Sequence, residues 1–332
     1  MRMRLFLLIA IAVAAAVFFG ARLIGNDYVF FAGYTVLQFV VLATAWNILG
    51  GYTGYVNFGS AAFFAMGAYA TVALHKFPAL IDSTFPEALA PLLRAIFPLP
   101  IPALIVIGGI VSGVVGLGMG YLTLRLRGAF FAIATLALAV VLQTLVVNWN
   151  YVGGARGAYV IRPAAVEGLS LPYIQYLFLI MLALATTAIV TARIVERSKL
   201  GFGFAAIRDD ELAAEASGVP TLKLKLIATT LSGALMGMAG APFPYYIGYL
   251  QPSSAFALEY AVNSIAMPMI GGTTSWVGPL LGALLLGTLQ QITTVTISSA
   301  VNLLIVGLLL VGFVIIAPNG LIGLWQRLFR KR

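Results

Sequence analysis

Long apolar runs separated by shorter polar segments organise the whole chain. Runs such as 5–21 and 303–317 contain no charged residue. They differ from outer-membrane strands, in which polar and apolar residues alternate over about ten positions. A membrane-spanning helix takes about 20 residues, so the pattern predicts an all-α, polytopic membrane protein with about ten transmembrane helices in a single domain, residues 1–332. We place these helices at 5–24, 28–49, 58–74, 101–124, 129–148, 173–192, 226–247, 256–272, 279–298 and 300–317.

The composition supports a chain that lies in the lipid bilayer. Hydrophobic residues make up 61% and charged residues 9%, and the mean hydropathy is +1.04. Soluble domains carry about 25% charged residues. The absence of cysteine excludes disulfides and thiolate metal sites, and the single histidine cannot build a histidine-based metal cluster. The sequence therefore predicts no metal site.

The basic residues are distributed unequally between the two sides of the membrane. If the N-terminus is cytoplasmic, 14 of the 19 basic residues fall inside. The outer segments keep Arg22, Lys76, Arg94, Arg156 and Arg162. This bias follows the positive-inside rule and predicts that both termini are cytoplasmic. The net charge of +9 is thus a topology signal and requires no nucleic-acid partner.

The first apolar run also resembles the hydrophobic part of a signal peptide, because Arg2 and Arg4 precede it. We interpret it as an uncleaved first span. The charge bias leaves cleavage open, because removing that run would not change the orientation of the later spans.

One inner loop, residues 193–226, holds half of the acidic residues of the chain. Its alanine-rich part predicts one short helix over about 204–217, ended by Gly218 and Pro220. Helical spacing would bring Glu211 and Glu215 to the face of Arg208. Two interpretations stay open: a solvated connector stabilised by its own ion pairs, or a docking element for a cytoplasmic partner.

Motifs for independent catalysis are missing from the sequence. No segment matches the phosphate-binding pattern G-x-x-x-x-G-K-[ST], so ATP would have to be bound by another subunit. There is no H-E-x-x-H or G-x-S-x-G motif either, and we predict no catalytic residue and no enzyme activity. The spans hold almost no ionisable residue apart from Glu259, near the outer end of its span, which disfavours a proton-coupled carrier.

Glycines and uncharged polar residues concentrate in the segment 47–69. Such a composition suits a broken or re-entrant segment that faces a water-filled path. It equally suits a tight cytoplasmic turn followed by a packing helix with a face of small residues. The candidates for a translocation pathway are Asn47, Tyr52, Asn57 and Ser60.

At these residues the chain resembles a known family, the branched-chain amino acid type of ABC transporter permease, and within it the LivM-like subunit. The resemblance covers most of the chain and depends on the order of several motifs. These are GYTGYVNFGSAAFFAMGAYA at 51–70, RLRGAFFAIATLAL at 125–138, GFGFAAIRDDELAAEASGVPTLKLKLIA at 201–228, IGGTTSWVGPLLGALLLG at 270–287 and APNGLIGL at 317–324.

The resemblance implies a permease domain in the bacterial inner membrane with several partners. These would be a second, LivH-like permease subunit, two cytoplasmic ATPase subunits that bind the ATP, and a periplasmic solute-binding protein. The loop 193–226 would couple the permease to the ATPases. This role would fall on Arg208, Asp209, Asp210, Glu211, Glu215 and Gly218.

The expected substrate is a small solute without strong net charge, since the spans offer few counter-charges. The resemblance favours branched-chain or other apolar amino acids. The segment 148–163 departs from the family, because Val152 precedes Gly153 where the family carries threonine, and Arg156 is added. Permeases for urea, amides or aromatic acids therefore stay open, as does a secondary carrier or channel.

Overall fold

The computed structural model describes residues 3–84, 86, 89–123, 125–161, 171–296, 304, 307–309, 311–313, 315 and 320–329. Most of these residues are helical, in agreement with the predicted all-α fold. The helices are α1 (Met3–Ile24), α2 (Asp27–Thr53), α3 (Ser60–Lys76), α4 (Pro78–Thr84), α5 (Ala90–Ile96), α6 (Ile101–Thr123), α7 (Ala129–Val147), α8 (Tyr173–Glu196), α9 (Lys199–Asp209), α10 (Glu211–Ala216), α11 (Thr221–Gly240), α12 (Phe243–Ile247), α13 (Pro252–Ala255), α14 (Leu258–Gly271), α15 (Val277–Thr296) and α16 (Gly320–Phe329).

The apolar runs predicted the positions of the long helices well. Among the described residues, six helical segments are long and apolar enough to cross a membrane: α1, α2, α6, α7, α8 and the segment Thr221–Ile247 that contains α11 and α12. Helices α3, α14 and α15 lie at three further predicted spans, with 17, 14 and 20 residues. The tenth predicted span, 300–317, lies largely outside the described residues. The chain is a polytopic α-helical membrane protein.

The chain divides into two compact units. The first comprises Met1–Val56, Ala165–Ala228 and Val262–Arg332, and the second comprises Asn57–Ala164 and Thr229–Ala261.

In the first unit, α2 packs against both α8 and α15. Nearly every residue of α2 from Val36 to Thr53 is buried, as expected for a helix that is apolar on all sides. Gly33 lets the ring of Phe178 approach the backbone of α2 closely. Phe178 also contacts Phe30 and Phe18, at ring-centroid distances of 5.4 and 6.4 Å. This aromatic cluster packs α1 against α8.

In the second unit, α3 packs against α6 and the small residues of α11. A Cβ on Gly67 would collide with the backbone of Gly237, so the two helices meet backbone to backbone. The Ser112 hydroxyl donates to the carbonyl of Phe63 at 2.8 Å. Gly233 and Gly237 thus allow close packing between these helices.

The glycine-rich segment forms a turn between two helices. Helix α2 continues to Thr53, residues 54–59 form the turn, and α3 begins at Ser60. Asn57 Oδ1 accepts from the Gly59 N–H at 2.7 Å, and Phe58 N–H donates to Thr135 Oγ1 at 3.1 Å. This arrangement favours the turn and packing helix over a broken segment.

The segment that departs from the family pattern takes part in a small two-stranded structure in the second unit. Two short 3₁₀ turns, Asn150–Val152 and Gly154–Arg156, lead into β1 (Ala158–Tyr159). This strand pairs antiparallel with β2 (Tyr249–Leu250). The Tyr151 hydroxyl donates to the carbonyl of Ala73 at 2.7 Å. We call residues 149–161, 248–251 and 73–76 the ribbon region.

Candidate functional site

The charged loop, residues 193–226, folds into two short helices and not into the single helix expected over 204–217. Helix α9 ends at Asp209, and α10 begins at Glu211. Asp210 between them has an extended backbone (φ −161°, ψ 107°), and its side chain accepts from the Ala213 N–H at 3.0 Å. Aspartate is a preferred N-cap, because its carboxylate satisfies an unpaired N–H at a helix start. The cap at Asp210 therefore overrides the helix propensity of the flanking alanines.

The predicted end of the helical stretch is correct. Gly218 follows the last turn of α10 with φ +83°, a conformation that favours glycine. Glu215 accepts a hydrogen bond of 2.7 Å from the Thr221 hydroxyl at the start of α11. Gly218 and Glu215 thus shape the turn between α10 and α11.

Arg208 does not pair with the carboxylates that helical spacing assigned to it. It forms an ion pair of 3.3 Å with Asp209, and both side chains are exposed to solvent, by 34% and 73%. The reason is the break at Asp210, which ends the continuous periodicity on which that expectation depended. Arg208 also lies over Gly54: a Cβ built there would come within 3.3 Å of its Cγ.

Glu211 instead belongs to a buried cluster with Lys225 and Tyr55. The Lys225 ammonium lies 2.7 Å from Glu211 Oε1 and 3.2 Å from the Tyr55 hydroxyl. That hydroxyl in turn donates to Glu211 Oε2. The Lys225 and Glu211 side chains are only 4% and 12% exposed. All three polar groups therefore have partners, which buried polar groups require.

A second carboxylate, Glu196, joins three elements at the start of the charged loop. Its Oε2 accepts hydrogen bonds from the backbone N–H of Trp276 at 2.9 Å and from the Tyr52 hydroxyl at 3.4 Å. One helical turn earlier, the Arg193 guanidinium lies 3.8 Å from the centroid of the Phe6 ring, a cation–π distance. Glu196 thus connects the end of α8 with the end of α2 and the start of α15. We call the charged loop, Tyr52–Tyr55 and Trp276 the charged region.

The charged loop also exposes large apolar side chains. Phe202 in α9 is 73% exposed, and Leu212 in α10 is 63% exposed. Phe202 and Asp209 are seven residues apart, so they lie on the same face of α9. Helix α9 thus exposes an aromatic ring and an arginine–aspartate pair, and aromatic residues and arginine are enriched at protein–protein contact surfaces.

The pathway candidates lie in different surroundings. Asn47 is buried in α2, and its Oδ1 lies beside Gly51. Tyr52 reaches the charged loop through Glu196. Asn57 and Ser60 are buried in the second unit, where the Ser60 hydroxyl donates to the Asn57 carbonyl at 3.4 Å. The Tyr52 side chain contacts the charged loop directly, because its hydroxyl donates to Glu196 Oε2.

Several residues of the charged region were not found by sequence reasoning. Local patterns assign Lys225 only the role of one of the inner positive charges, and they assign no role to Tyr55, Glu196 or Trp276. Glu211 and Tyr55 are 156 positions apart, so no local pattern joins them. Phe202 could have been identified from the sequence, because it is a large apolar residue in the most charged segment of the chain.

Among the residues that the structure describes, no three histidine, aspartate or glutamate side chains converge as metal ligands. The contacts observed in the charged region are ion pairs, hydrogen bonds and apolar contacts. These interactions suit binding and the transmission of movement.

Comparisons of the chain with known proteins give matches to permeases. The family model described as "Branched-chain amino acid transport system / permease component" matches residues 28–314. The high-affinity branched-chain amino acid transport system permease protein LivM of Salmonella typhimurium is 25% identical over 97% of this chain and 75% of its own length. The probable branched-chain amino acid transport permease protein LivH of Methanocaldococcus jannaschii is 25% identical over 80% of this chain and 85% of its own length. The autoinducer 2 import system permease protein LsrC of an Enterobacter species is 26% identical over 52% of both chains. No solved structure matches the chain.

Proposed function

The chain belongs to the family of permease components of branched-chain amino acid transport systems, and on this premise we propose that it is the membrane subunit of an ATP-driven importer. The observation that carries the proposal is the charged loop. The buried Glu211–Lys225 ion pair holds this loop in place, while the side chains of Phe202, Arg208 and Asp209 remain exposed. A merely solvated connector needs neither a buried ion pair nor an exposed aromatic ring.

We assign the exposed face of α9 to docking of the ATPase subunits. Phe202 supplies apolar contact, and the Arg208–Asp209 pair supplies charges that a partner can match. Asp210, Glu215 and Gly218 support this face indirectly, through the helix cap and the turns described above. ATP would be bound by the two ATPase subunits.

The proposed assembly contains a second permease subunit and a periplasmic solute-binding protein in addition to the two ATPases. Relatives named LivM and LivH are both called permease proteins of branched-chain amino acid transport. This chain matches LivM over nearly its whole length, so we assign the second permease position to a LivH-like chain.

We further propose ten spans in the bacterial inner membrane, with both termini and residues 193–226 in the cytoplasm. The contacts within each unit support this topology. Segments assigned to the inner side meet in the first unit, where Tyr55 contacts Glu211 and Trp276 contacts Glu196. Segments assigned to the outer side meet in the second unit, where β1 pairs with β2. An incorrect set of spans would give no reason for this grouping.

Two matched substitutions test the topology. Ser217→Cys in the charged loop and Ser253→Cys after β2 both introduce a thiol at an exposed serine of a chain without cysteine. A membrane-impermeant thiol reagent added to the periplasmic side of the cells should label only Ser253→Cys. Labelling of Ser217→Cys without membrane disruption would contradict the proposed orientation.

We propose branched-chain or other apolar amino acids as substrates. The polar residues Asn47, Asn57 and Ser60 are proposed as pathway residues, because zwitterionic solutes need dipoles more than fixed charges. The relative named as an autoinducer 2 permease widens the range to be tested. The measurement is uptake by vesicles that contain all the partner subunits, with labelled leucine, urea, an aromatic acid and autoinducer 2 offered separately. Leucine should accumulate only with ATP, whereas uptake without ATP or the ATPases would indicate a carrier or channel.

A further inference from the structure

The last turn of α2 and the turn that follows it are held by the start and the middle of the charged loop. Glu196 precedes α9 and binds the Tyr52 hydroxyl, while Glu211 begins α10 and binds the Tyr55 hydroxyl. The two tyrosines are only three residues apart. Between them, Gly54 lies under the Arg208 side chain.

These contacts are too specific for general apolar packing. The Tyr55 hydroxyl donates to Glu211 and lies within 3.2 Å of the Lys225 ammonium, which also lies 4.7 Å from the centroid of the tyrosine ring. Hydrogen bonds to charged groups are stronger than neutral ones, and in a buried network they strengthen one another. A shift of the charged loop therefore cannot leave Tyr55 in place without breaking this network.

The partner element is well suited to carry a displacement. Helix α2 has 27 residues, and it packs along its length against α8 and α15. A rigid helix moves as a body, so a force applied at Tyr52 in its last turn reaches its far end. Tyr55, two residues beyond Thr53, acts on the helix through the turn. Glu196 adds the start of α15 to the same connection through the Trp276 N–H.

We propose that Tyr52 and Tyr55 are positioning residues that transmit movement of the charged loop to α2, and that Tyr55 is the stronger of the two. This inference rests on the proposed function, because it needs an ATPase that moves the loop. It assigns Tyr52 to coupling and removes it from the translocation pathway. The ranking follows from geometry: the Tyr52 hydroxyl lies 3.4 Å from Glu196, a long hydrogen bond, whereas Tyr55 is held by two charged groups.

The test uses tyrosine-to-phenylalanine variants, which delete a hydroxyl and keep the ring. Tyr55→Phe, Tyr52→Phe and the double variant are reconstituted with the partner subunits, and the ATP hydrolysed per solute imported is measured. Tyr151→Phe is the matched control, since it also deletes a hydroxyl bound to another segment, but in the ribbon region.

We expect Tyr55→Phe to raise the ATP-to-solute ratio roughly tenfold, the size expected for loss of a hydrogen bond to a charged group. Tyr52→Phe should raise it less, and Tyr151→Phe should leave it unchanged. Binding of the ATPase subunits should stay normal in all variants, which a general loss of structure would not allow.

An unchanged ratio in the double variant, with ATP-driven uptake by the unmodified chain, would overturn this inference and leave the proposed function intact. A double variant that no longer binds the ATPases would also overturn it, since the tyrosines would then support the fold of the docking face. If the unmodified chain shows no ATP-driven uptake, both the proposed function and this inference fall.

Discussion

The charged region and the ribbon region both join segments that are distant in sequence, but they use different chemistry. In the charged region, carboxylates bind side-chain hydroxyls and an ammonium group, as in the Glu211–Lys225–Tyr55 cluster. In the ribbon region, backbone groups bind backbone groups, and the Tyr151 and Lys76 side chains reach carbonyl oxygens. The first depends on which residues are present, and the second mainly on backbone shape.

This difference has functional consequences. A network of charges is directional and costly to leave half-formed, so it suits a connection that must pass on movement. A backbone ribbon keeps its shape through many side-chain changes, so it suits a purely structural connection. Tyr159, which is 76% exposed beside Tyr249, can vary in this way without loss of the strand pairing.

The largest effect on stability should come from breaking the buried ion pair. Lys225→Met leaves the Glu211 carboxylate buried without its ammonium partner, which costs about 3–5 kcal/mol. The double variant Glu211→Gln with Lys225→Met should recover a good part of this loss, because no buried charge remains. Thermal unfolding of the detergent-solubilised protein measures both. A single variant as stable as the original protein would show that the pair is not structurally important.

The ribbon region should be most sensitive to a change of backbone. Gly157 has φ +82°, and a Cβ there would meet the carbonyl oxygen of Leu250. Gly157→Val should therefore lower the free energy of unfolding by about 1–3 kcal/mol. It should also increase hydrogen exchange in residues 149–161 and 248–251. The matched control is Gly118→Val, where nothing lies within 4 Å of the new Cβ. Equal exchange in both variants would contradict the account of the ribbon.

The smallest effect on stability is expected at the exposed pair of the charged region. Arg208→Met removes an ion pair that is exposed to water, and such pairs contribute about 0–1 kcal/mol. The unfolding temperature should therefore hardly change, while binding of the ATPases weakens. A loss of stability as large as that of Lys225→Met would mean that Arg208 supports the fold and not the docking face.

The sequence predicted the elements better than their connections. Apolar runs located the helices, because burial in a bilayer demands about 20 apolar residues, and Gly218 was correctly identified as a helix stop. The break at Asp210 was missed, since helix propensity and capping compete there and the local sequence does not decide between them. The cluster of Glu211, Lys225 and Tyr55 was missed because tertiary packing alone brings these residues together.

The most direct test of the account is capture of the ATPase subunits by variants of the two regions. The unmodified chain and the variants Phe202→Ala, Arg208→Glu and Tyr159→Ala are purified from cells that also produce the partner subunits. Phe202→Ala and Arg208→Glu should lose most of the ATPase, while Tyr159→Ala, a comparable truncation of an exposed aromatic ring, should retain it. Equal recovery of the ATPase with all four chains would contradict the assignment of the charged loop to coupling.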